Sequence, residues 1–215
     1  MAQKLEKVVD AYDSIAEKYD AIYSNDHYEN ENVIVYELLK RHLGGIPVGT
    51  TLDMGCGTGA LLDNLPLFNA DDYVGVDLSS RMLGIARSKH PEHMFVQADF
   101  TEAHGFVKYD NVISTWGSPS FVPVETALQA IGLSLCSEHG RFFAMFTGLA
   151  RSPADVDHEL YVIHTALEIA QAAQLNPHIK LQGLFGLTSK GNSGVRLIHH
   201  QLDESEFIIA VGVSR

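Results

Sequence analysis

Val8, Val9, Tyr12, Ile15, Ala16, Tyr19, Ile22 and Tyr23 recur at about every third or fourth position, which predicts an amphipathic helix with one apolar, tyrosine-rich face. A second helical pattern runs through Val33, Ile34, Tyr36, Leu38 and Leu39 and closes at Gly44-Gly45, with Pro47 beyond as a stop signal. The chain then alternates: strand Thr51 to Met54, strand Asp72 to Asp77, helix Ser80 to His90, strand Met94 to Gln97, strand Tyr109 to Thr115, helix Val124 to Cys136 and strand Gly140 to Phe146. Strands alternating with helices predict a doubly wound α/β fold, a parallel sheet with helices on both faces. A further helix is predicted from Val156 to Gln174, burying Leu160, Ile163, Leu167 and Ala170 and ending before Pro177. The linker before it, Thr147 to Asp155, leaves almost no room for a covering insertion. The roof of any pocket must then come from the amino-terminal helices, the loop around Trp116, the tail or a second subunit. The tail offers three strand-like runs, Ile179 to Leu187, Val195 to Leu202 and Glu206 to Val213, joined by turn-forming residues. Phe207 to Val211 is nearly all apolar, so the last run is expected to insert antiparallel beside the fifth strand as a buried strand.

Composition narrows the class. A chain of 215 residues with 46% hydrophobic content can bury one good core, and no break in composition suggests a second unit, so residues 1–215 are read as a single domain. No apolar run approaches bilayer length, and Met1-Ala2-Gln3-Lys4 leads into a charged amphipathic stretch, not a signal peptide's apolar core; a cytoplasmic protein with no membrane association is the expectation. The two cysteines, Cys56 and Cys136, need no disulfide partner. A net charge of −12 with only 15 lysines and arginines spread along the chain argues against nucleic acid.

The chemistry begins at Leu52-Asp53-Met54-Gly55-Cys56-Gly57-Thr58-Gly59-Ala60, an apolar strand turning through alternating glycines into a helix. Such glycines permit positive φ and a close approach of backbone to ligand, and the free N–H groups of the helix start favour polar ligand atoms. Tyr73 to Asp77 is a second short apolar run ending in a carboxylate suited to a ribose diol. Met94 to Asp99 is a third, followed by Phe100, an aromatic suited to a purine pocket. The glycine loop with Asp77 also satisfies the dinucleotide pattern, so NAD is a rival ligand.

Together with the leading Tyr12-Asp13-Ser14-Ile15-Ala16-Glu17-Lys18-Tyr19-Asp20, these motifs resemble the class I S-adenosylmethionine-dependent methyltransferases, particularly the small-molecule branch, over roughly Tyr12 to Phe146. The resemblance implies a mostly parallel, seven-stranded Rossmann-like sheet with an antiparallel C-terminal strand, residues 1–45 forming a helical lid and 46–215 the core with a C-terminal β-meander. It implies S-adenosylmethionine as cofactor. Asp53 would orient the methionine amino group, Gly55, Cys56, Gly57 and Gly59 would form the loop against the ligand, Asp77 would accept both ribose hydroxyls, and Leu78 and Met82 would also contact the cofactor. Asp99, Phe100 and Ser114 complete the expected cofactor set, and Tyr19 would close over it. Tyr12, Tyr23, Trp116, Ser118 and Phe121 are the expected acceptor contacts; an electron-rich ring suits an apolar or cationic substrate and tolerates a sulfonium.

The implied activity is methyl transfer to an oxygen, nitrogen or carbon of a small molecule, by a monomer or homodimer. A non-catalytic S-adenosylmethionine-binding sensor or partner subunit is the alternative. No residue is identified as catalytic, which suits a reaction driven by alignment and exclusion of water. The run Ser114 to Phe121 lacks the Asn/Asp-Pro-Pro-Tyr/Phe pattern of DNA amino methylation. Among eleven histidines, His199 and His200 are expected on opposite faces of a tail strand, and His158 and His164 solvated or half-buried on the late helix. No metal site is expected, because no Cys/His/Asp cluster has the usual ligand spacing.

Overall fold

The computed structural model describes residues 2–102, 107–150, 160–189 and 194–215. Two helices lead, α1 (Ala2–Ile22) and α2 (Asp26–His42). The side chain of Asn25 caps α2 by accepting from the backbone N–H groups of His27 (3.1 Å) and Tyr28 (3.4 Å). Acids in the first turn of α2 and Lys40, Arg41 and His42 in its last match the helix dipole.

The core follows as β1 (Thr51–Met54), α3 (Ala60–Asn64), β2 (Tyr73–Asp77), α4 (Ser80–Lys89), β3 (Met94–Gln97), β4 (Asn111–Ser114), α5 (Val124–Ser134) and β5 (Arg141–Thr147). Then come α6 (Ala166–Leu175), β6 (Ile179–Thr188), β7 (Arg196–Ile198) and β8 (Phe207–Ser214). The eight strands lie in the order β3-β2-β1-β4-β5-β8-β6-β7. β1 to β5 are parallel, and β8 pairs antiparallel with both β5 and β6.

The period of two along a strand sends alternate side chains to opposite layers. On β5, Phe142, Ala144 and Phe146 pack with Leu128 and Ile131 of α5 and with Ile169 and Ala173 of α6. Phe143 and Met145 face the other way, toward Val35 and Leu39 of α2, Leu61 of α3 and Leu83 of α4. Central strands buried on both faces must be apolar throughout, and β5 is.

Three expectations are corrected. The sheet has eight strands, not seven, because the middle tail run also pairs, though only over Arg196–Ile198; His199 and His200 lie in a bend past its end, so strand alternation does not apply to them. The late helix starts at Ala166, not Val156. Thr165 and Glu168 form a reciprocal capping box, and Asp203 accepts from the backbone N–H of Ala166 (3.0 Å), which fixes the start there. Leu160 is buried outside the helix, Ile163 and Leu167 are exposed, and the core side of α6 is Ile169, Ala172 and Ala173.

The connection from β5 to α6 is consequently longer than the linker expected from the sequence. Its described part includes a β-bridge between Gly148 and His164, and His164 is buried there with Nε2 lacking a partner among the described residues. His158 and most of the expected linker lie outside the described residues. Cys136 lies just past the end of α5, not within it.

Candidate active site

The C-terminal ends of β1, β2 and β4 meet beneath α1, where ligands of doubly wound sheets bind. The chain leaves β1 through Gly55, Gly57 and Gly59 with φ of +75°, +54° and +86°. A Cβ on Gly55 would lie 2.5 Å from that of Ser118, whereas one on Gly57 would enter open space. The loop is held to β2: Gly55 and Cys56 both donate to the carbonyl of Val76 (2.7 and 3.0 Å). Gly57 donates its N–H to Asp77 Oδ2 (2.9 Å), and Ser79 donates to Oδ1 (2.8 Å). Burial pushes the carboxyl of Asp77 up, and these hydrogen bonds oppose the shift. Each oxygen keeps a lone pair for a further donor.

Asp53 is buried in β1. Its Oδ2 accepts from the hydroxyl of Tyr73 (2.7 Å), while Oδ1 has no partner among the described residues although Asp53 lines the cavity. Burial raises its pKa to about 7, with the Tyr73 hydroxyl opposing the rise and the charge of Asp77 adding to it.

α1 closes the site and is tied down by its acids. Asp13 accepts from the hydroxyl of Ser79, and Asp20 accepts from Thr58 Oγ1 (2.6 Å) and Lys89 Nζ (2.9 Å). Above the cavity Tyr12, Tyr19, Tyr23 and Tyr28 form a ladder, with consecutive ring centroids 5.9, 4.8 and 4.9 Å apart. The hydroxyls of Tyr12 and Tyr161 lie 2.6 Å apart, and the Phe121 ring stacks 4.5 Å from that of Tyr161.

Trp116, after β4, takes φ +54°, a conformation that costs a bulky residue about 1–3 kcal/mol. The fold holds it there: its Nε1 donates to the hydroxyl of Tyr36 (3.1 Å), and the Phe207 ring packs edge-on at 5.8 Å. The cavity has a volume of about 260 Å³.

Of the cofactor residues expected from the sequence, Tyr19, Asp53, Gly55, Cys56, Gly57, Asp77, Leu78, Met82 and Phe100 line this cavity. So do all five expected acceptor contacts, Tyr12, Tyr23, Trp116, Ser118 and Phe121. Three residues do not. Gly59 caps α3 behind the loop. Asp99 Oδ1 accepts from the backbone N–H and hydroxyl of Thr101 (2.8 and 2.7 Å), forming a turn. Ser114 is buried with its hydroxyl donating to the carbonyl of Met54 (2.7 Å). The structure adds Tyr28, Glu31, Thr58, Tyr161 and Phe207 to the wall, none of them among the site residues expected from the sequence.

It also brings Glu206 to two residues of α2: the ligand atoms of His27, Glu31 and Glu206 lie within 4.8 Å of one another, as do those of His90, Glu92 and His93, which are neighbours in sequence. Among the described residues, no helix is long and apolar enough to cross a membrane.

Residues 51–134 match the family model described as a methyltransferase domain. No curated protein sequence matches the chain. Among solved structures, an S-adenosylmethionine-dependent methyltransferase from Thermotoga maritima, described as a possible histamine N-methyltransferase, superposes with TM-score 0.69 at 15% identity, covering 96% of this chain and 99% of that one. Magnesium protoporphyrin IX methyltransferase from Synechocystis, solved with S-adenosylhomocysteine, gives TM-score 0.69 at 18% identity over 98% of this chain and 99% of that one. A Clostridium acetobutylicum S-adenosylmethionine-dependent methyltransferase gives 0.66 at 16% identity, covering 94% and 98% respectively. At such identities the likeness to these structures is one of fold. Residues 51–134, which hold the glycine loop and the strands that frame it, thus match a methyltransferase domain, and the chain as a whole has the fold of solved S-adenosylmethionine-dependent methyltransferases.

Proposed function

We propose that this protein transfers a methyl group from S-adenosylmethionine to an oxygen, nitrogen or carbon atom of a small-molecule acceptor bound under the tyrosine ladder Tyr12-Tyr19-Tyr23-Tyr28, with the whole chain acting as one domain and residues 1–45 as its lid. The observation that carries the reading is Asp53: a buried carboxylate oxygen with no partner among the described residues, on the cavity wall beside a glycine loop, is a site prepared for an ammonium group. Bound there, S-adenosylmethionine supplies an electrophilic methyl group on a sulfonium and leaves as S-adenosylhomocysteine.

The residues of the chain hold and align. Asp53 Oδ1 accepts from the amino group of the methionine part, and Asp77 uses its remaining lone pairs for the ribose hydroxyls while fixing Gly57 and Ser79. Leu78, Met82 and Phe100 provide the apolar wall for the base. Tyr12 and Tyr19 exclude water over the reacting end, and Trp116, Ser118 and Phe121 receive the acceptor. Alignment and dehydration suffice for an in-line displacement with a good leaving group.

Support for a small acceptor comes from the cavity beneath α1, about 260 Å³ in volume and lined by aromatic side chains with a few polar groups, the form of a small-molecule site. Calorimetric titration with S-adenosylmethionine, S-adenosylhomocysteine and NAD tests the cofactor assignment. Binding of the two sulfur ligands and not NAD is expected; binding of NAD alone would overturn it. Production of S-adenosylhomocysteine with an acceptor present then separates an enzyme from a non-catalytic binder.

A further inference from the structure

Behind the cofactor loop the fold assembles a second cluster of polar groups. His90-Pro91-Glu92-His93 forms the turn between α4 and β3, with the backbone N–H of His93 donating to the carbonyl of His90 (3.1 Å). A proline in the second position presets such a turn, which brings its first and fourth residues close together. The two imidazoles accordingly stand edge to face with ring centroids 5.8 Å apart. A ligand nitrogen of each and a carboxylate oxygen of Glu92 lie within 4.8 Å of one another. The turn makes this gathering, which no customary ligand spacing announces in the sequence.

Both rings are oriented from behind. His90 Nε2 lies 2.9 Å from Asp63 Oδ1, and His93 Nε2 lies 3.4 Å from the carbonyl of Phe68. An ionised carboxylate and a carbonyl only accept, so each Nε2 carries the hydrogen and, in the neutral ring, each Nδ1 carries the lone pair. This is the outer-shell arrangement of metal-binding histidines. His93 Nδ1 has no hydrogen-bond partner among the described residues, although its side chain is only 9% exposed and an orphaned nitrogen at that depth calls for an explanation. Glu92 Oε1 stands 3.2 Å from it. Two ligands on a tetrahedral ion with bonds of about 2.1 Å are separated by about 3.4 Å, close to that spacing. Glu92 is itself exposed and gives the site its entrance, and the nearby cation, Lys89, is held by Asp20 and Asp63.

We propose that His90, Glu92 and His93 bind a divalent transition metal of the zinc class, with water in the remaining coordination position. Two imidazoles with one carboxylate suit zinc over magnesium or calcium, which favour oxygen ligands. The role of the ion is structural, because its ligands lie outside the cavity wall. It fastens the turn where that turn backs the cofactor site. A Cβ on Gly59 would stand 3.0 Å from the ring of His90, and the ring of His93 meets that of Tyr73 at 5.4 Å, whose hydroxyl donates to Asp53.

The test uses the whole protein, free of any affinity tag and stripped with a chelator. Calorimetry with zinc chloride should show one ion per chain, and zinc at about a hundred times its Kd should raise the melting temperature by about 5–10 °C. Glu92→Gln, a change at an exposed side chain, should weaken zinc binding at least tenfold, with the near-ultraviolet circular dichroism unchanged as the report of folding. His93→Gln should weaken it at least as much. His27→Gln, in the other cluster of possible ligands, should leave zinc affinity as it is. The proposal is overturned if zinc does not bind, if Glu92→Gln and His93→Gln bind it as the wild type does, or if His27→Gln is the change that abolishes binding.

Discussion

Replacing Asp53 by asparagine separates what this carboxylate costs the fold from what it gives the ligand. In the ligand-free protein its pKa stands at about 7. In the unfolded chain it has the ordinary carboxylate value of about 4. Between those pH values the folded protein holds a proton that the unfolded chain has released, so stability falls as pH rises from about 4 to about 7, and above that the whole penalty is present. A difference of about three pH units corresponds to about 4 kcal/mol.

The asparagine side chain would keep an acceptor for the Tyr73 hydroxyl but place an N–H₂ where Oδ1 now lacks a partner, which costs about 1–3 kcal/mol. The Asp53→Asn variant should therefore be more stable than the wild type by about 1–3 kcal/mol at about pH 8 and less stable near pH 4. Urea unfolding of both proteins without ligand, across that pH range, reads this as a difference in which the other carboxylates cancel. Ligand binding should run the opposite way. Wild-type affinity for S-adenosylhomocysteine should fall as pH drops below about 7, by up to about tenfold per unit, because an ammonium needs the ionised carboxylate; Asp53→Asn should bind weakly at every pH. A stability difference that does not change with pH, or a wild-type affinity flat from about pH 5.5 to about 8, would refute the reasoning.

Three further substitutions probe the site. Asp77→Ala should weaken S-adenosylhomocysteine binding by about 1.5–3 kcal/mol through lost charge-assisted hydrogen bonds, measured by calorimetry, with some loss of melting temperature because Gly57 and Ser79 also lose their acceptor. Gly57→Ala should cost about 1–2 kcal/mol of stability from its φ of +54° and no clash within the protein, yet weaken ligand binding further, because its Cβ enters the open space; equal losses in both measurements would place the ligand elsewhere. Tyr161→Phe removes the contact with the Tyr12 hydroxyl and should lower stability by about 0.5–1.5 kcal/mol while speeding ligand release in stopped-flow measurements; unchanged release would leave that pair a packing role alone.

The parts of this molecule legible in the sequence are those set by local rules. A buried strand must be apolar, a turn at positive φ calls for glycine, and both signals sit side by side at Leu52 to Gly59. Sequence and structure part where two local signals compete. Apolar periodicity from Val156 onward favours one long helix, but Thr165 and Glu168 carry a capping box that starts it later. That later start is what releases Tyr161 to the cavity roof, and the capping residues that enforce it are visible in the sequence.

Asp99 follows a strand as Asp77 does, yet its short side chain satisfies its own turn through Thr101, a choice that sequence alone leaves open. Glu31 carries no such local signal. A glutamate on an amphipathic helix reads as solvated, whereas the fold buries Glu31 and brings a carboxylate oxygen of Glu206 within 4.8 Å of its own.

The position of β8 bears on how the protein is made. The parallel strands β1 to β5 can pair as soon as they are synthesised, but β8, later in sequence than all of them, lies between β5 and β6. Until it arrives, the outer edge of β5 presents unpaired backbone along the most apolar strand of the parallel set, an invitation to foreign strands and a natural client surface for a chaperone. Phe207, which braces Trp116 and completes the cavity wall, enters with that same strand. A nascent chain can therefore carry every glycine and carboxylate of the cofactor site and still lack a closed pocket, so competence to bind should be gained in one late, cooperative step.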